Sequence, residues 1–119
     1  LGTTGSDWLF NVSSNDTHVY GSNVYTDAWV HLVGVFDNGK LSLYTNGQLD
    51  GTAEGGTNDS DKTLRIGSDY TGNNSWDGWI DDVRIYNRAL KPWEVFELYR
   101  WGTKGIDMRK KLVNKKGGL

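Results

Sequence analysis

Cysteine is absent from the 119 residues, and proline and methionine occur once each. Without cysteine the chain has no disulfide framework and no thiolate metal site, which leaves the compartment open. No apolar run approaches the roughly 18 residues of a membrane-spanning helix, and no signal-peptide pattern opens the chain. Leu1 stands where Met would begin a primary product, as expected of a processed product or a piece of a longer chain. Positive charge is scarce over most of the length: residues 1–99 carry six Lys/Arg against fourteen Asp/Glu.

What is abundant points one way. Aromatic residues make up 13% of the chain, with six Trp and six Tyr, a content that a disordered segment lacks. Sixteen glycines among many Asn and Asp residues predict frequent turns and short strands, the pattern of an all-β domain. The length suffices for one domain and not for two. The basic residues that the body lacks gather at the end: residues 100–119 have a net charge of +6, against −8 for residues 1–99. Such a tail is either a solvated end or an electrostatic arm for an acidic partner subunit or anionic surface. Nucleic acid is not an expected partner.

Alternation of apolar and polar residues dominates the body. Trp8, Phe10 and Val12 fall on one face of a first strand. Residues 18–20 and 23–25 read as two short strands around Gly21, and residues 28–37 (AWVHLVGVFD) as a central strand apolar on both faces. Asn38-Gly39 and Asn46-Gly47 are hairpin turns of the type that needs positive φ, flanking a strand over 41–45. Residues 50–62 and 68–78 are polar loops, and residues 63–67 and 79–86 (WIDDVRIY) read as further strands. A single helix is predicted near 92–99. Pro92 suits its first position, Glu94 its positive end, and Val95, Leu98 and Tyr99 share a face that should pack on the sandwich edge.

Two stretches carry a family resemblance. One is Trp29-Val30-His31 with its apolar strand, tight turn and Tyr44-Thr45-Asn46-Gly47; the other is Gly78 to Leu90, GWIDDVRIYNRAL. Together with Glu94 and Leu98-Tyr99, they resemble the W-x-H, Y-x-N-G and G-x-I-D-[DE]-V-R-I-Y-N-R-A-L patterns of laminin G-like, concanavalin A-like jelly-roll domains. The resemblance covers residues 29–99. It implies an antiparallel two-sheet jelly-roll sandwich with one short C-terminal helix over residues 1–101; it does not account for the basic tail over 102–119. Family members run longer on the N-terminal side, so the resemblance also implies that the first strands are lacking or supplied by something else. The expected location is extracellular, on a cell surface or on a virion surface. Two functions follow from it. One is a non-catalytic carbohydrate-binding or adhesive module; the other is a structural module of a fibre, capsid or filament.

Catalysis is not expected. Glycoside hydrolysis needs two carboxylates about 5–9.5 Å apart, whereas Asp81 and Asp82 are adjacent and would point to opposite faces of a strand. His18 and His31 are accompanied by no Ser or Cys nucleophile motif. The expected ligand site is the loop that combines Tyr70 and Trp76 with Asp69, Asn73, Asn74 and Asp77, aromatic faces beside amides and carboxylates that would suit a glycan or cell-surface polysaccharide. Trp76 could equally fold back as an anchor for the loop. Asp81 shares the expected core face of its strand with Val83 and Ile85. A buried carboxylate there must be hydrogen-bonded, paired or metal-bound, and the resemblance implies structural Ca²⁺, an oxygen-seeking ion, as one option. Other protein subunits are expected at the N-terminal strand edges and along the basic tail.

Overall fold

The computed structural model describes residues 1–3, 7–12, 17–23, 27–55, 63–68, 72–73 and 75–103. Among the described residues, six strands form two antiparallel sheets, and one helix follows them in the chain. The first sheet contains β1 (Gly2–Thr3), β2 (Asp7–Val12) and β3 (Thr17–Asn23) in that order; the second contains β4 (Leu32–Asp37), β5 (Lys40–Thr45) and β6 (Gln48–Glu54) in that order. The helix α1 spans residues 92–103. The architecture is the expected sandwich, antiparallel throughout.

Turn chemistry sets the second sheet. Asn38 and Gly39 have φ of 47° and 87°, and Asn46 and Gly47 of 50° and 80°, so each hairpin is closed by two consecutive residues in the left-handed region. The first turn puts Phe36 opposite Leu41 and Gly34 opposite Leu43. Alternation then sends Leu32, Phe36, Leu41 and Leu43 to the inner face, where they meet Trp8 and Val19 of the first sheet. The Phe10 ring lies over Gly34, where an added Cβ would come within 2.6 Å of it. Leu41 and Leu43 are fully buried, each worth about 1.5–3 kcal/mol of apolar transfer.

Val33, Val35 and Tyr44 face the other way and pack under Leu90, Val95 and Leu98. The helix therefore covers the outer face of the second sheet rather than the sandwich edge expected from sequence. This explains why the β4 stretch is apolar on both faces. The helix begins at the predicted place and is capped there: the Glu94 and Val95 N–H groups donate to the Lys91 carbonyl, while the Lys91 N–H donates to Glu94 Oε2 at 2.8 Å. Pro92 thus occupies the first helical turn, where its missing N–H leaves nothing unsatisfied.

Four strand assignments differ. Residues 17–23 form one strand through Gly21, and residues 28–31 precede the ladder rather than joining it. Residues 63–67 and 79–86 lie in no ladder with the described strands. Alternation marks which side chains share a face, but a ladder also needs a neighbour's N–H and C=O groups. The Trp8, Phe10 and Val12 face is packed on the second sheet. The helix runs to residue 103, and residues 104–119 of the basic tail lie outside the described residues.

Candidate functional site

A pocket of about 220 Å³ opens beside the first sheet. Its walls bring together four tryptophans from three separate parts of the chain: Trp8 on β2, Trp29 before β4, and Trp76 and Trp79 in the segment ahead of the helix. Two backbone hydrogen bonds hold that segment in place, from Gly67 N–H to the Leu1 carbonyl (2.8 Å) and from Trp76 N–H to the Gly67 carbonyl (2.6 Å). Trp76 lies on Trp8 with ring centroids 5.3 Å apart, tilted by 41°, and its Nε1–H points to the Trp79 carbonyl at 3.4 Å. Of the two sequence-based options for Trp76, the anchor is what forms, and the same ring also walls the pocket.

Trp8 is buried, and its Nε1–H finds no acceptor among the described residues. A buried donor of this kind costs about 1–3 kcal/mol when unsatisfied. Trp29 and Trp79 remain largely exposed at the mouth. Asp81, Asp82 and Arg84 add charge to the pocket wall, with Asp82 held by Arg84 in a bidentate pair at 3.0 and 3.1 Å.

The expected loop site is only partly within view. Asp69, Tyr70 and Asn74 lie outside the described residues; Asn73 and Asp77 are exposed. Asp81 differs from expectation. It is exposed, as are Val83 and Ile85, because residues 79–86 form no strand with a core face. Its Oδ1 accepts the Asp82 N–H at 2.7 Å. Ca²⁺ takes about 6–8 oxygen ligands. Around Asp81 the adjacent carboxylate is occupied by Arg84, and no group of three candidate ligands gathers among the described residues. The described donors therefore do not fit a resident cation at this position.

The W-x-H and Y-x-N-G residues are structural partners. Asn46 Oδ1 accepts the His31 N–H at 3.0 Å, and the Asn46 N–H donates to the His31 carbonyl at 2.8 Å. His31 leans on Tyr99 of the helix. Burial pushes its pKa down, with smaller opposing influences from Asp82, which raises it, and Arg84, which lowers it; Nδ1 has no partner among the described residues. What sequence reasoning missed is the convergence of Trp8, Trp29 and Trp79 on Trp76. Their number was visible, but nothing local says that they meet.

A family model described as the concanavalin A-like lectin/glucanases superfamily matches residues 1–96. Adhesion G-protein coupled receptor V1 of Danio rerio is 32% identical over 101 residues, which are 78% of this chain and 2% of the receptor. The chain thus spans a small part of that relative's length. The solved structure of an S-layer domain-containing protein from Clostridium thermocellum superposes with a TM-score of 0.49 at 17% identity, over 81% of this chain and 64% of that one.

Proposed function

We propose that this chain, which belongs to the concanavalin A-like lectin/glucanases superfamily as a laminin G-like domain, is a non-catalytic, extracellular adhesive module that binds carbohydrate. The observation that carries the ligand class is the meeting of four tryptophans at one pocket. Broad aromatic faces suit the apolar faces of sugar rings. The unsatisfied Trp8 Nε1–H and the rim carboxylates suit hydroxyl groups, so a few polar contacts fix orientation within a largely apolar site. Asp69, Tyr70, Asn73 and Asn74, from the loop that ends at Trp76, are proposed to complete the contacts. The extracellular, adhesive setting is supported by the likeness to an adhesion receptor. The non-catalytic reading rests on Asp82, whose two carboxylate oxygens are both engaged by Arg84, leaving Asp81 without a free acidic neighbour.

A glycan array followed by calorimetry on the best binder tests this reading. Trp29→Ala and Trp79→Ala alter exposed rings, so the melting temperature should stay near wild type while affinity falls. An aromatic anchor is typically worth about 2 kcal/mol, roughly 30-fold in Kd. A wild-type protein that binds no glycan, or variants that bind as well as wild type, would overturn the proposal.

A further inference from the structure

Helix α1 carries two apolar stripes. Val95 and Leu98 pack on the second sheet, and Tyr99 lies against the His31 ring. The opposite stripe holds Trp93, Phe96, Arg100 and Trp101, at the i, i+3, i+7 and i+8 spacing of one helical face. Trp93 is 63% exposed, Phe96 43% and Trp101 66%. The Arg100 guanidinium lies 5.9 Å from the centre of the Phe96 ring and pairs with Glu97 at 3.3 Å. Large apolar side chains gathered on one exposed face, rather than scattered singly, mark an interaction surface.

We propose that this outer face of α1 docks on an anionic phospholipid bilayer, with Trp93, Phe96 and Trp101 at the level of the headgroups. The first argument for this occupant is charge. The two acidic residues of the helix, Glu94 and Glu97, are each paired with an arginine, Arg88 and Arg100, so the face sets no unbalanced negative charge against the lipid. The sequence directly after the helix, residues 104–119, has six Lys/Arg and one Asp. A basic cluster joined to a helix that presents aromatic rings is attracted to anionic headgroups and held by burial of the rings. Residues 1–99 carry a net charge of −8 and are repelled by the same surface, which turns the body of the domain away and the helix toward the bilayer.

The second argument is shape. The rings stand on the convex outer side of a single helix. A rigid protein partner would need a groove matched to them, whereas headgroups and acyl chains deform around them. Tryptophan favours that depth because its ring is apolar and its N–H polar. Among the described residues no helix is long and apolar enough to cross a membrane, so α1 lies on the bilayer surface rather than spanning it. The rings supply the hold, and the basic residues supply the attraction and its dependence on salt.

Flotation of the full chain with vesicles, read as bound fraction against lipid concentration, tests the proposal. Wild type should bind vesicles of equimolar phosphatidylcholine and phosphatidylglycerol about tenfold or more tightly than vesicles of phosphatidylcholine alone, and added salt should weaken that binding. Trp93→Ala combined with Trp101→Ala should weaken it about tenfold or more, because both rings leave the lipid. Lys110→Glu combined with Lys111→Glu should weaken it to a similar degree, by turning attraction into repulsion while leaving the rings in place. Melting temperatures should stay near wild type for the tryptophan pair, because both rings are exposed. A chain that binds neither kind of vesicle would overturn the proposal, including one that associates with itself in sedimentation instead. Equal binding to the two kinds of vesicle, or binding that either double variant leaves intact, would overturn it as well. Glycan binding plays no part in this readout, so the two can fail or succeed independently.

Discussion

Asp50 on β6 holds Ser22 on β3 at two atoms: its carboxylate accepts the Ser22 N–H at 2.8 Å and the Ser22 hydroxyl. Thr45 Oγ1–H adds a third bond at 2.7 Å. The two sheets are thereby tied at the β3–β6 edge, where alternation alone gives no reason for them to stay together. Burial acts to raise the Asp50 pKa, but the bonds from the Ser22 hydroxyl, the Ser22 N–H and Thr45 outweigh it, and the net shift is downward.

Asp50→Ala should cost about 1–3 kcal/mol in urea denaturation, the range for losing hydrogen bonds to a charged group. The acid sensitivity follows from the direction of the shift. A carboxylate with a lowered folded pKa contributes stability that is full above its ordinary value of 3.8 and is lost as pH falls through the folded value. Wild type should therefore lose more stability than Asp50→Asn between pH 5 and the acid limit, as read by melting temperature against pH.

Gly47→Ala should be destabilising at the second hairpin. Gly47 has φ of +80°, and an added Cβ would lie 2.9 Å from Tyr99 Cδ1. The left-handed conformation alone costs an L-residue about 1–2 kcal/mol, and the helix would have to shift to relieve the contact. Gly102→Ala is the control: it lies within the helix, and an added Cβ meets nothing within 4 Å. It should be neutral or stabilising by up to ~1 kcal/mol. Chemical denaturation of the two variants beside wild type checks both outcomes.

Glu94 should make the helix start acid-labile. The Arg88 guanidinium, and after it the Lys91 N–H, hold its pKa at about 2 against an ordinary 4.5. Its contribution is present above 4.5 and lost as pH falls toward 2. Glu94→Gln and Arg88→Ala should each flatten the acid limb of the stability curve. Helical circular dichroism followed from pH 6 to pH 2 reads this out.

Chelation tests the calcium expectation at Asp81. With Asp81 exposed and its neighbour's carboxylate engaged by Arg84, the melting temperature should be the same in calcium and in excess chelator. Asp81→Ala should melt within about 0.5 kcal/mol of wild type, as surface substitutions usually do. A drop in chelator that Asp81→Ala abolishes would reinstate the ion.

Much of the fold was legible because it is local. Asn38-Gly39 and Asn46-Gly47 accept positive φ through their own chemistry, so both hairpins could be read without knowing what surrounds them. The alternation of Leu41 and Leu43 with Ser42 and Tyr44 fixed which face of β5 points inward. Pro92 and Glu94 marked the helix start through contacts no more than a few residues apart. Trp76, by contrast, carries no local mark to distinguish a solvent-facing loop ring from one stacked on Trp8.

Turns, the β5 face, the helix start and the family pattern can be read from single stretches of sequence, because each depends on φ preference or on side-chain period within one segment. Which segments gain a partner is settled by contacts between distant parts of the folded chain. Residues 32–37 and 79–86 are both strand-like in sequence, yet the first is paired with β5 and the second stands outside every described ladder. The same difference moved Asp81 from an expected core face to solvent. It also gathered four tryptophans into one pocket, since hydrogen-bonded neighbours and packed rings are contacts between distant residues that no single stretch encodes.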